Sequence, residues 1–293
     1  MSLMIRNGLV MFMNGQAPTR ADILLDGDRI SQVEPHIGDL NGHGIRELDA
    51  SGYVILPGLI DAHVHNEAEE ENWIRENACS AGITSALLWS DTVDRCRLLY
   101  GGELCACSIV PVDVEHMRQD ALEDKLITMR QACQRPICAV ISEKQLQKAL
   151  HAVKCTGIEM ILVHLYGCDP YAEMVAAAGC PVILGVSRMR SSGAWAFAAK
   201  LDALGVKVAI TCDYPSARLK YLSVCAGLCV RDGMPRERAL QTITSNPADI
   251  LGLKDVGRVE KGCRADLTIF DGDPLLLATS HVMTICGGKI YDR

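Results

Sequence analysis

Aromatic side chains are scarce: Phe, Trp and Tyr make up 4% of the 293 residues, so aliphatic and small residues must fill the core. No apolar run approaches the roughly 20 uncharged residues that a membrane-spanning helix needs. Nor does the chain open with a charged segment, an apolar stretch and a small-residue cleavage site. The expectation is therefore a cytoplasmic protein with no membrane contact. Met1-Ser2-Leu3 reads as an added leader ahead of a natural start at Met4-Ile5-Arg6-Asn7-Gly8. A basic stripe is also missing. With a formal charge of −7 and no cluster of Lys and Arg, a phosphate backbone has nothing to bind, which excludes nucleic acid as a partner. Cysteine is plentiful, with 14 residues, but the Cys105-x-Cys107 and Cys225-x3-Cys229 pairs have no matching second pair, which argues against a structural zinc knuckle. Cys138, Cys180, Cys212 and Cys225 fall in apolar segments and read as reduced thiols in the core.

What is present is ordinary for a soluble globular enzyme: 49% hydrophobic and 22% charged residues. From Met4 to about Tyr53 the chain reads as short strands punctuated by Gly and Asn. The last segment is similar, with Ala265–Phe270, a turn at Asp271-Gly272-Asp273-Pro274, Val282–Ile285 and a Gly287-Gly288 hairpin. Two strand-rich ends flanking a different middle predict a small β-sandwich domain from residues 1–55 and 257–293. Residues 56–256 then form a second domain.

That middle alternates strand and helix. Apolar runs at Ile55–Ala62, Ile83–Trp89, Leu104–Val110, Ile137–Ile141, Met160–Leu165, Val182–Val186 and Val206–Thr211 are joined by helical patterns such as Gln145–Val153, Tyr171–Ala178 and Ala194–Leu204. Strands that are apolar on both faces and linked by helices predict a parallel sheet covered on both sides. The count is one short of a TIM-like (β/α)8 barrel, and the missing or degenerate strand is expected between Val110 and Ile137. An open doubly wound sheet is the alternative, disfavoured because no Gly-rich phosphate loop follows an early strand.

In a β/α barrel the chemistry sits at the C-terminal ends of the strands. The first strand, after Pro57-Gly58, ends in His63-Val64-His65, and residues i and i+2 of a strand share a face. Two imidazoles on one face suit a divalent metal. The run Glu159–Val163 leads straight into His164, and the last central strand ends at Asp213 before Tyr214-Pro215. Each of these alone reads as a satisfied strand end or a turn carboxylate. Three strands ending in metal-binding groups on one rim point instead to a metal centre. His36, His43, His116, His151 and His281 read as surface positions.

The segment Pro57-Gly58-Leu59-Ile60-Asp61-Ala62-His63-x-His65 resembles the first-strand signature of the metal-dependent amidohydrolase superfamily. In order follow Thr211-x-Asp213, then Ala239-Leu240-x3-Thr244-x-Asn246-Pro247-Ala248, then Gly257-x-Val259-x2-Gly262-x2-Ala265-Asp266-Leu267. This tail is similar to the dihydroorotase, imidazolonepropionase and N-acetylglucosamine-6-phosphate deacetylase branches. The resemblance implies a TIM barrel with a split β-sandwich, and hydrolysis of an amide, a cyclic amide or an amine-bearing carbon by metal-activated water. It implies metal ligands at His63, His65, His164 and Asp213. Asp213 would be the proton shuttle, with His164 a further ligand or a hydrogen-bond donor to the reacting oxygen.

The departures are specific. The family usually supplies a histidine from the strand before that of His164, and Pro136–Glu143 contains none; a mid-barrel lysine of the kind that bridges two metals is also missing. One divalent ion per chain is therefore expected, zinc first, with iron, nickel and manganese also compatible with such ligands. Glu143 or Cys138 could replace the lost ligand, Glu143 reading otherwise as a helix-start carboxylate. Asp113, Glu115 and Arg188 are weaker candidates for contact with a small-molecule substrate. A homodimer is an open expectation. The alternative to an enzyme is a non-catalytic, metal-depleted relative that serves as a binding or assembly module. A thiol-based enzyme is disfavoured because only Cys212 lies near the candidate site.

Overall fold

Turn chemistry shapes both ends of the chain. The computed structural model describes residues 2–38, 44–65, 71–89, 97–101, 103–106, 110–132, 136–186 and 194–292. Strands β1 (Ser2–Val10), β2 (Thr19–Asp26), β3 (Arg29–Glu34), β4 (Arg46–Asp49) and β5 (Val54–Pro57) come first. Gly27-Asp28 forms the two-residue loop between β2 and β3. The middle of the chain follows with β6 (Leu59–His65), α1 (Glu71–Ser80), β7 (Ile83–Trp89), β8 (Arg97–Tyr100), β9 (Glu103–Ala106), β10 (Val110–Pro111), α2 (Gln119–Ala132), β11 (Ile137–Ser142), α3 (Glu143–Thr156) and β12 (Met160–Tyr166). It continues with α4 (Ala172–Ala178), β13 (Val182–Gly185), α5 (Ala194–Ala203), β14 (Val208–Thr211), α6 (Leu222–Arg231), α7 (Arg236–Gln241) and α8 (Ser245–Ile250). The chain ends in β15 (Leu267–Phe270), β16 (His281–Cys286) and β17 (Lys289–Asp292). Gly287 and Gly288, both at positive φ (56° and 76°), make the β16–β17 turn, a conformation that matches the twist of a hairpin.

The two chain ends pair with each other. One eight-stranded sheet runs β17-β16-β15-β5-β1-β2-β3, with β4 also on β1. β1 is long enough to pair with β4 along Leu3–Arg6 and with β5 along Leu9–Val10. Leu3 is buried in β1 opposite Leu25. Ile5, Ile23, Leu25, Ile55, Val259, Leu267 and Ile285 form this sheet's own apolar cluster.

The middle of the chain builds a five-stranded sheet, β10-β11-β12-β13-β14, whose neighbouring strands are all parallel. A four-stranded sheet, β6-β7-β8-β9, pairs β6 and β7 in parallel and is antiparallel beyond. Helices interleave these strands, and Gly157 and Gly179 end α3 and α4 in the left-handed conformation, as C-terminal caps do. Among the described residues no helix is long and apolar enough to cross a membrane.

Two expectations are corrected. The strand expected at Leu104–Val110 is split: β9 folds back antiparallel on β8, and β10 is only Val110–Pro111. The gap between Val110 and Ile137 holds helix α2 and no further strand among the described residues. The degenerate connection lies elsewhere. Ile210 N–H donates to Thr242 O (2.9 Å) and Ile60 N–H to Ile243 O (2.8 Å), so the short segment before α8 bridges β14 to β6. Asn246 secures it, its side-chain amide donating to Val208 O at 2.8 Å. Ile60, Ala62, Leu87, Cys138, Ile161, Val163, Ile183 and Ala209, drawn from both sheets, meet in one inner cluster covered by Ala248, Ile250 and Leu251.

Gly58 joins the outer sheet to β6. Its N–H donates to Asp266 O at 2.8 Å, and a Cβ at this position would fall inside the Thr84 side chain. Gly58→Ala is therefore expected to destabilise the fold by about 1–3 kcal/mol, the usual cost of overpacking. Adding Thr84→Ala should recover part of the loss. Urea denaturation of the two variants measures this, and an unchanged midpoint for Gly58→Ala would refute the close packing.

Candidate metal centre

A regular β6 would send its side chains alternately inward and outward. Ile60 and Ala62 pack in the inner cluster, yet Val64 packs in a second, outer cluster shared with helix residues such as Ile74, Leu126 and Leu146. The register of β6 on β7 shifts between Asp61 and Val64. This break turns His63 and His65 to the same side as the inner cluster. Asp61 sits at the break: its Oδ1 accepts the His63 N–H at 3.1 Å.

The Asp61 carboxylate is fully buried and ties β6 to the end of β14. Oδ2 accepts the Cys212 N–H at 3.2 Å and the Cys212 thiol at 2.8 Å. The Thr211 hydroxyl lies 2.5 Å from Asp61 Oδ1 and 2.7 Å from His63 O, and accepts the Asp213 N–H at 2.8 Å. Burial pushes Asp61 up to about 6, against the pull of these donors. Burial and the neighbouring Asp61 together raise the Cys212 thiol well above its usual value, and Cys212 is fully buried.

Asp213 and His164 reach the centre through unusual backbone. Asp213 has φ 57°, His164 φ 67° and Leu165 φ 52°, a left-handed region that non-glycine residues rarely occupy and that clusters at functional sites. In β12, Ile161 and Val163 face the inner cluster while Leu165 packs in the outer one. The left-handed pair sits where that alternation breaks. Gly185 leaves room for Asp213, since a Cβ there would stand 3.0 Å from Asp213 Cβ and 2.8 Å from Thr211 Cγ2.

The four side chains meet around one oxygen. Asp213 Oδ1 lies 2.9 Å from His63 Nδ1, 3.7 Å from His164 Nε2 and 4.0 Å from His65 Nε2. The His63 ring is 4.7 Å from that of His65 and 4.6 Å from that of His164. His63, Asp213 and His164 are almost fully buried, and His65 is 27% exposed. Ligand atoms of His63, His65 and Asp213 all fall within 4.8 Å of one another. Two imidazoles and a carboxylate converging at this spacing fit a borderline divalent ion such as zinc. His164 stands beside them.

A cavity of about 840 Å³ is lined by Trp89, Asp113, Glu115, Val140, Glu143, Lys144 and Tyr166 among others. Trp89 and Tyr166 belong to the centre as well, their rings 4.7 Å from His63 and 5.0 Å from His164. Glu143 is the first residue of α3 and accepts the Tyr171 hydroxyl at 3.0 Å. Asp113 accepts the Glu115 N–H at 2.9 Å and contacts His116 Nδ1 at 2.7 Å. Cys138 does not reach the rim, because it is buried in the inner cluster with its thiol directed at Val110 O. Where a further histidine was sought, β11 presents Val140, which is 46% exposed. Arg188 lies outside the described residues. Asp61 was missed by sequence reasoning, although a carboxylate inside the apolar run Leu59–Ala62 was its signal.

Residues 147–291 match the sequence profile of the Amidohydrolase family. The chain is 39% identical over 66 residues to a 5-methylthioadenosine/S-adenosylhomocysteine deaminase of Pyrococcus horikoshii, a match spanning 22% of this chain and 15% of that protein. It is 45% identical over 62 residues to a dihydroorotase of Staphylococcus aureus, spanning 21% of this chain and 14% of the relative. Among solved structures, an amidohydrolase from Thermotoga maritima superposes with a TM-score of 0.83 at 18% identity, covering 99% of this chain and 100% of the other.

Asp61→Asn places an amide N–H₂ among donors and should cost about 1–3 kcal/mol of stability. Because the folded state holds the Asp61 proton more tightly than the unfolded chain, this group's contribution to stability falls as pH rises from about 4 to about 6. The stability gap between wild type and variant should therefore narrow across that window in urea titrations; a gap that widens would contradict the burial argument. Gly185→Ala should displace Asp213 and cut metal affinity roughly 10-fold or more, as loss of a supporting contact does, with little change in far-ultraviolet circular dichroism.

Proposed function

We propose that this chain, whose residues 147–291 match the Amidohydrolase family and which resembles a deaminase and a dihydroorotase in part, is a metal-dependent amidohydrolase that hydrolyses a C–N bond of a small polar substrate, an amide, a cyclic amide or an amine-bearing carbon. The observation that carries this reading is the convergence of three imidazoles from two strands on Asp213 Oδ1 at 2.9, 3.7 and 4.0 Å. His63, His65 and Asp213 would hold one divalent ion, zinc by donor chemistry. When bound, such an ion supplies a Lewis acid and lowers the pKa of water.

The remaining work falls to the chain's own groups. Asp213 takes a proton at Oδ1 from the attacking water and returns it to the leaving nitrogen, acting as general base and then acid. The left-handed backbone at Asp213 and the Thr211 hydroxyl on its N–H fix where that oxygen stands. His164 either completes the ligand set or donates to the reacting oxygen. Trp89 and Tyr166 flank the imidazoles. Among the described residues the cavity wall carries Asp113, Glu115 and Glu143 beside Lys144, a balance that favours an amine-bearing or cationic substrate over an anionic one.

This reading also treats the two central sheets as parts of one closed (β/α) cylinder, closed at the β14–β6 seam by Thr242–Ile243. Residues 56–256 would carry the chemistry, and residues 1–55 and 257–293 a supporting domain.

The second reading, a binding or assembly module, is favoured by one observation: β11 offers Val140 where a further ligand was expected. Two measurements separate the readings. Protein purified without chelator should contain about one divalent ion per chain, and activity lost on chelation should return with zinc. A screen of cyclic ureas, hydantoins, N-acyl amino acids and amine-bearing heterocycles should give turnover that Asp213→Asn reduces by about 10²–10⁴-fold, the typical share of a general acid–base. Metal that stays well below one per chain after reconstitution would establish the module instead.

A further inference from the structure

A second set of metal-ligating side chains lies on the outer helices. His151 and Cys155 are one turn apart on α3, so they project from the same face. Glu123 reaches them from α2. The Cys155 Sγ is 3.3 Å from His151 Nε2, and the Glu123 Oε1 is 3.8 Å from the same nitrogen. All three donor atoms lie within 4.8 Å of one another.

These separations have a simple meaning. Zinc bound tetrahedrally at the usual S, N and O distances of ~2.0–2.3 Å keeps its ligand atoms roughly 3.4–3.6 Å apart. The two measured separations bracket that range, so an ion could enter with shifts of a few tenths of an ångström at those contacts. The Glu123 carboxylate is also held in place: Gln119 Nε2 donates to Oε1 at 2.6 Å, the outer hydrogen bond that ligating carboxylates commonly have. Glu123 is partly shielded at 26% exposure and His151 is 59% exposed. Water therefore has access to a fourth position.

We propose that Glu123, His151 and Cys155 form a peripheral site for a borderline divalent ion of the zinc class, distinct from the His63–His65–Asp213 centre and independent of the catalytic reading. The ion staples α2 to α3 from outside. On binding, the Cys155 thiol gives its proton to solvent, and the resulting thiolate makes the metal–sulfur bond; His151 binds through neutral Nε2.

The test uses the full chain, stripped of metal and titrated with cobalt(II). A thiolate ligand gives a sulfur-to-cobalt charge-transfer band in the near ultraviolet, which imidazole and carboxylate ligands do not. Wild type should show this band, and Cys155→Ser and His151→Ala should each abolish it while still binding cobalt at the other centre. Gln119→Ala should keep the band but weaken cobalt affinity roughly 10-fold. These positions are on the surface, so circular dichroism of the variants should match wild type. No charge-transfer band in wild type overturns the proposal. So does a band that survives Cys155→Ser, since it would come from another thiol.

Discussion

The carboxylate of Asp61 is the constraint on which the centre depends. An ionised carboxylate buried without partners costs several kcal/mol. This one is offset by the His63 and Cys212 N–H groups, the Cys212 thiol and the Thr211 hydroxyl. Charge-assisted hydrogen bonds of this kind are the strong ones, and these run between β6 and the end of β14. The carboxylate thereby couples the strand that delivers His63 and His65 to the strand that delivers Asp213. A further bond, His65 N–H to Tyr214 O at 2.9 Å, continues the same seam outward. Misplacing Asp61 would disturb both partners at once.

The same seam explains why the strands are irregular where the chemistry sits. A strand that kept strict alternation would place a second aliphatic residue into the inner cluster at each rim position. In β6 a register shift does the redirecting, and in β12 a left-handed pair does. After β14 the left-handed Asp213 follows directly on the two residues that hold Asp61. Such conformations cost of order 1–3 kcal/mol each, so they persist only where surrounding bonds over-determine them. At Asp213 the bonds around Asp61 and the space that Gly185 leaves are what over-determines it.

Much of this was legible in the sequence, and the failures have physical causes. The segments at Ile83–Trp89, Ile137–Ile141, Met160–Leu165 and Val182–Val186 contain strands because long apolar runs bounded by Gly have few other uses. The four residues that meet around Asp213 Oδ1 were legible because each ends such a run. Leu104–Val110 misled because an apolar run does not reveal strand direction; β9 turns back on β8 instead of joining β11. The bridge at Thr242–Ile243 was invisible for the opposite reason. It is too short to carry periodicity, and its two backbone bonds depend on partners far away in the chain. The Asp266 of the tail pattern proved structural: its carbonyl holds Gly58, and its carboxylate accepts the Gly287 N–H at 2.6 Å. That part of the pattern records how the outer sheet grips β6, not how a substrate is bound.

The donor inventory also bears on how many ions the centre can hold. Two divalent cations roughly 4 Å apart repel by about 17 kcal/mol at an effective dielectric constant of about 20, so two-metal sites need bridging anions and several carboxylates. Among the described residues Asp213 is the carboxylate that meets the imidazole cluster. The Asp61 carboxylate is already occupied by donors and turned toward Thr211 and Cys212. Glu143 is bonded to Tyr171, and Val140 fills the neighbouring stretch of β11 with a side chain that cannot ligate. Among the described residues the cluster thus pairs one carboxylate with three imidazoles, a donor set whose charge offsets a single dication better than two.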